Sequence, residues 1–194
     1  MKLWIKSACA AFVLCVIYSL VPFQADCQSI SREVFRLHIL ANSDSEEDQA
    51  LKLKVRDRIL QYSAGLFESV QSIDEAQAAA AAHLGDFERI AADELRRCGS
   101  NHTVRAELAD MYFSTRKYDG FTLPAGCYSA IRLTIGEGRG HNWWCVMFPS
   151  LCVTRESSDQ KARDAFSDSE YKVVSGGGQE YKFFVVEMFE RLFG

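Results

Sequence analysis

One segment, Gly136-Glu-Gly-Arg-Gly-His-Asn-Trp-Trp-Cys145, gathers a histidine, a thiol and two adjacent tryptophans behind a glycine-rich turn, with Cys152 a short distance further on. Three chemistries suit such residues. Cys145 or Cys152 with His141 or His38 has the types of a thiol nucleophile and its base. Cys98-x3-His102 and His141-x3-Cys145 have the spacing of zinc ligands, but on a strand an x3 interval spans roughly 13 Å. Such pairs share a metal only if the chain turns between them, and a tetrahedral site needs four ligands. Oxidation is the third. Closing the eight-residue loop between Cys145 and Cys152 restricts the unfolded chain by roughly 2.5 kcal/mol, and Pro149 favours the turn that brings the two together.

Other motifs are weaker. Gly136-x-Gly-x-Gly140 lies between two strand patterns, whereas a phosphate loop needs a helix directly after it to present N–H groups to the anion. Asp44, Glu46 and Asp48 imitate the start of a calcium loop, but Gln49 stands where glycine is needed and Val55 where the bidentate glutamate belongs. No metal or cofactor is therefore expected, nor a catalytic set. A thiol enzyme using Cys145 or Cys152 stays open as the alternative. Cys27, Cys98 and Cys127 are an odd set without an assigned role.

The elements that must position these residues can be read from periodicity. Residues 34–41 alternate as a strand, with Phe35, Leu37, Ile39 and Ala41 on one face and His38, a structural histidine in this reading, on the other. Residues 42–45 (Asn-Ser-Asp-Ser) are turn and cap chemistry. Glu46, Glu47 and Asp48 then open a helix to about Tyr62 with Leu51, Val55 and Ile59 on one side. A second helix starts at Ser72 with Glu75 and ends at Gly99. From Thr103 the period becomes that of strands: Val104, Ala106 and Leu108, then Ile131, Leu133 and Ile135, then residues 143–148. Trp143 and Trp144 must point to opposite faces, one filling the core and the other standing out as an anchor. Residues 153–179 read as a solvated connection with a short helix at 160–166, and residues 181–193 as an apolar helix, with a strand at 181–186 as the alternative start. The expected fold is α+β: a single domain with an antiparallel sheet of about four strands, a meander in its second half, covered on one face by helices.

A chain of 194 residues, 48% of them hydrophobic, suits one core. Lys2 and Lys6 precede an uncharged apolar run at residues 8–21, and the first acid is Asp26. Residues 1–25 form a signal peptide or signal anchor, and residues 26–194 the extracytoplasmic domain. Without that segment 20 basic residues face 26 acids, a net −6. Nucleic acid is then excluded as a partner. The one basic cluster, Lys52, Lys54, Arg56 and Arg58, reads as the solvated face of a helix.

Leu37-His-Ile-Leu-Ala-Asn-Ser-Asp-Ser45 with Glu47-Asp-Gln-Ala-Leu-Lys-Leu-Lys-Val-Arg-Asp57, and then Leu123-Pro-Ala-Gly126, Ala130-Ile-Arg-Leu-Thr-Ile-Gly-Glu-Gly138 and His141-Asn-Trp-Trp-Cys145, resemble the two halves of stage II sporulation protein R. That resemblance implies a non-enzymatic signalling protein exported from the forespore into the intermembrane space. Its implied partner is a membrane-embedded aspartic protease that matures a mother-cell sigma-factor precursor. No small-molecule substrate is expected, and the membrane is a second partner if residues 3–23 are retained. A cell-wall-binding envelope protein is a further alternative. Loops on a rigid scaffold are where recognition residues concentrate, so Asn42, Ser43, Asp44, Arg139, His141, Asn142 and Trp144 are the expected partner-binding residues. Cys145 and Cys152 are the expected disulfide.

Overall fold

The computed structural model describes residues 2–118, 120–149, 155–176, 182–185, 187 and 188. Helix α1 (Lys2–Glu33) leads into strand β1 (Phe35–Leu40), followed by α2 (Glu46–Leu66), α3 (Ile73–Ala82) and α4 (Leu84–Arg97). Strands β2 (Val104–Phe113), β3 (Arg116–Lys117), β4 (Thr122–Leu123), β5 (Gly126–Ile135) and β6 (Asn142–Phe148) come next, then α5 (Arg155–Ala165) and α6 (Asp168–Ser175). The main sheet has the order β2-β5-β1-β6, and β3 pairs β4 separately.

The α+β class and single domain hold, but the sheet is mixed. β1 runs parallel to β5, with His38 beside Arg132, and antiparallel to β6, with His38 beside Trp144. A meander would have paired β5 with β6 as a hairpin. Instead β1 is inserted between them, because a strand with apolar side chains on one face and aromatic neighbours on the other gains most by burial at the centre. Every residue from Phe35 to Ile39 is buried.

Helices cover both faces of the sheet, not one. On the first face Phe35, Leu37, Ile39, Ile131 and Leu133 meet Leu51, Val55 and Ile59 of α2 and Phe87, Ala91 and Leu95 of α4. On the second face Tyr128, Ala130 and Val146 meet Phe23, Cys27 and Ile30 of α1 and Val173 and Val174 of α6. The connection expected at residues 153–179 therefore contains two helices. Ser167 and Glu170 form a capping box for α6, a signal present in the sequence just before Val173 and Val174.

Local caps explain the remaining boundaries. Ser45 accepts from the Asp48 amide and starts α2. The long helix expected from Ser72 breaks at His83 into α3 and α4. Gly99, at φ 81°, lets the Ser100 amide reach the Leu95 carbonyl and the Gly99 amide reach Arg96, which ends α4.

α1 passes residue 25 without interruption. As far as Val21 it exposes Trp4, Ile5, Tyr18 and Val21, while Phe23, Cys27 and Ile30 belong to the second core. Among the described residues no helix is long and apolar enough to cross a membrane. The energetic boundary of the domain thus lies within α1. Ile30→Ala should cost about 2–5 kcal/mol of unfolding free energy, whereas Ile5→Ala should leave it within about 0.5 kcal/mol. Urea unfolding of the purified chain measures both, and an equal effect of the two would move the boundary.

Candidate functional site

Two loops meet at one end of the sheet because the topology compels it. Since β5 and β6 flank β1, residues 136–141 must cross over the C-terminal end of β1, where residues 42–45 leave the same strand. The crossing is tight. The Arg139 amide donates to the Asn42 carbonyl at 3.1 Å and the Gly140 amide to the Ala41 carbonyl at 2.9 Å. A Cβ at Gly140 would lie 2.1 Å from the Ser43 carbonyl oxygen, and one at Gly136 2.2 Å from Asn42 Oδ1. The glycine pattern therefore serves close backbone passage and not an anion.

The Asp48 carboxylate fastens the turn from below. It accepts from Asn42 Nδ2 at 2.8 Å, from Ser43 Oγ at 2.5 Å and from His102 Nε2 at 3.0 Å. Those hydrogen bonds, Ser43's foremost, hold its pKa below the usual aspartate value. Asn42 Oδ1 in turn accepts the Glu137 amide at 3.0 Å. Lys52 is buried, donating to Gln49 Oε1 at 2.6 Å and to the His141 carbonyl at 2.8 Å. Burial lowers its pKa. Arg56 lies over the Trp143 ring at 4.3 Å. The basic cluster is thus only half a solvated face, since Lys52 and Arg56 turn inward and Lys54 and Arg58 outward.

The expected recognition residues divide accordingly. Asn42 and Ser43 are spent inside the crossing. Asp44, Arg139, His141 and Asn142 are exposed, and Asp44 Oδ1 accepts from the His141 amide at 2.6 Å and contacts its Nδ1 at 2.5 Å. Arg139 pairs with Glu137 at 3.2 Å, both largely in solvent. The sequence reading names His102, Asp48 and Lys52, which tie the site together, but in other roles: a zinc-spaced residue, a first-turn acid and a solvated base.

The tryptophans do point to opposite faces, but neither stands free. Trp143 packs on the first core, and Trp144 stacks on His38 at 4.0 Å with Phe113 at 4.7 Å. His38 is not a satisfied structural histidine. Both ring nitrogens are buried without a hydrogen-bond partner of proper geometry, although the Asn142 amide approaches the ring. Desolvation first, and the positive charges of Arg132 and Arg36 after it, push its pKa down to about 4. Beneath it Arg36 is fully buried, with its guanidinium over Phe113 at 4.0 Å and Tyr128 at 4.8 Å and donating to Tyr118 Oη.

The proposed chemistries find different settings. Cys98 Sγ faces Glu94 while His102 faces Asp48, so that pair is divided. Cys145 is buried in β6 and disulfide-bonded. Cys152 lies outside the described residues, and so does much of the apolar helix expected at 181–193. Among the described residues no three His, Cys, Asp or Glu side chains could hold a metal ion.

Two stability predictions follow from these contacts. Asp48→Asn leaves three part-buried donors without an ionised acceptor and should cost about 1–3 kcal/mol, with faster amide exchange at residues 136–141; unchanged exchange there would refute the fastening role. A histidine with a depressed folded pKa contributes stability that is full above its unfolded value near 6.5. That contribution is lost as pH falls toward 4, because only the unfolded chain takes up the proton. Wild-type unfolding free energy should fall by up to about 3 kcal/mol across that window. His38→Phe, which retains the stack, should flatten the profile in urea titrations.

The comparisons with known proteins cover both loops. The family model described as Stage II sporulation protein R matches residues 31–158. A curated protein, Stage II sporulation protein R of Bacillus subtilis (strain 168), is 32% identical over 186 residues, covering 84% of this chain and 83% of that protein. No solved structure matches the chain. The matched residues run from the end of α1 to the start of α5 and include the loop crossing, and the chain belongs to the stage II sporulation protein R family.

Proposed function

We propose that this chain is an exported sporulation signal that activates a membrane-embedded aspartic protease, which then matures a mother-cell sigma-factor precursor. On this reading it acts by binding and not by catalysis. The observation that carries it is the family match across both crossing loops. Its placement in the intermembrane space, with residues 1–25 serving export or anchoring, belongs to the same proposal.

The crossing supports a receptor-binding role physically. Asp44, Arg139, His141 and Asn142 are exposed on a frame whose backbone is held by amide-to-carbonyl bonds and by Asp48. A rigid polar surface loses little entropy on binding, so its contacts are kept as affinity. Asn42 and Ser43 contribute by holding that frame.

The test is reconstitution of the chain with the protease and the sigma precursor in a host that does not sporulate. Arg139→Ala with His141→Ala should reduce precursor maturation at least about tenfold, as expected for removal of central interface contacts. Export and melting temperature should stay unchanged. Arg97→Ala, an exposed change on α4, should signal normally. Full signalling by the double variant would take the crossing out of the receptor surface.

A further inference from the structure

The second face of the sheet carries an excess of one sign of charge. Arg36 is fully buried, and the charged or polar groups acting on it are Tyr118, Tyr128 and Arg116, none of them a carboxylate. His38 is 3% exposed, has the Asn142 amide as the only polar side chain approaching its ring among the described residues, and lies between Arg132 on β5 and Trp144 on β6. Arg132 has its Nε buried without a partner, and its side chain is 39% exposed. The acid near it is Glu107, at 3.6 Å, longer than a hydrogen bond. Arg116 is exposed and sits 5.5 Å over the Trp144 ring. The protein as a whole has a net charge of −4, so this concentration runs against its composition.

Burying cations without counter-charges is costly. Aromatic faces offset part of that cost at Arg36, whereas among the described residues the half-exposed Arg132 has one carboxylate beside it, Glu107, and its Nε is left without an acceptor. At this end of the face Leu40, Thr134 and Trp144 are only partly covered and Asn142 is exposed. The helices therefore leave a strip of sheet open beside unsatisfied donors.

We propose that this strip, from Arg132 across the His38–Trp144 stack to Arg116, is a docking groove for an extended acidic segment of a partner protein. β5 and β6 are separated by β1, so Arg132 and Trp144 stand roughly 10 Å apart at the usual strand spacing. One carboxylate cannot bridge that gap. Two acids on one extended chain can, with carboxylates paired to Arg132 and Arg116 and the chain lying over the indole. Nucleic acid would meet the repulsion of the acidic remainder. The groove shares only Asn142 with the crossing loops, and it holds whether or not the partner is the protease.

Binding is measured with fluorescein-labelled octaglutamate by anisotropy at low salt, on the full chain. Saturable binding is expected, weakened at least about tenfold in the Arg116→Gln, Arg132→Gln double variant. Arg96→Gln with Arg97→Gln, which removes as much charge elsewhere, should change it less than about twofold. Free glutamate at the same carboxylate concentration should not displace the peptide. Arg116 is exposed, so Arg116→Gln alone keeps the fold, verified by near-ultraviolet circular dichroism, and must still weaken binding about threefold. Absence of saturable binding, equal loss in the control variant, or displacement by free glutamate would each overturn the proposal.

Discussion

The insertion of β1 between β5 and β6 is the constraint on which the rest of the structure depends. Once β1 takes the centre, the connection between its neighbours has to pass over its end. Everything at that end is then determined by lack of room. Glycines stand where side chains would strike Asn42 and Ser43, amides meet carbonyls across the crossing, and Asp48 collects the donors left over. The same insertion buries both faces of β1. One face holds ordinary aliphatic residues and the other holds Arg36 and His38, which have to be accommodated by aromatic rings because water cannot reach them.

The two faces of the sheet consequently differ in kind. The first is a conventional apolar contact with α2 and α4, whose strength is area removed from water. The second mixes apolar packing from α1 and α6 with a row of cations and aromatic rings. Its stability depends on keeping His38 neutral and Arg36 sandwiched. Acidification weakens that face through protonation of His38.

Much of the fold was legible in the sequence, and the failures have physical causes. β1, α2, β2, β5 and β6 follow from period and capping, because amphipathic alternation and Ser45 are local signals. The parallel pairing of β1 with β5 is not local. Nothing in residues 34–41 distinguishes a central from an edge strand except that Arg36 and His38 occupy positions that a solvated face would also use. The glycine pattern at 136–140 shows only a turn for the same reason, since a tight turn and a tight crossing need the same residue. Among the site residues, Asn42 and Ser43 were found by their turn chemistry, yet their bonds to Asp48 make them internal. Lys52 and His102 are given other roles, a solvated base and a zinc-spaced residue, because partners distant along the chain leave no mark in a local pattern.

The continuity of α1 bears on the accessibility of its backbone. A peptidase takes its substrate in extended form, but Phe23, Cys27 and Ile30 hold the stretch around Ala25 helical and packed against Phe183 and the second core. Docking of α1 and a cut near Ala25 therefore exclude one another, and a chain that has docked is protected there for as long as its second core stays closed.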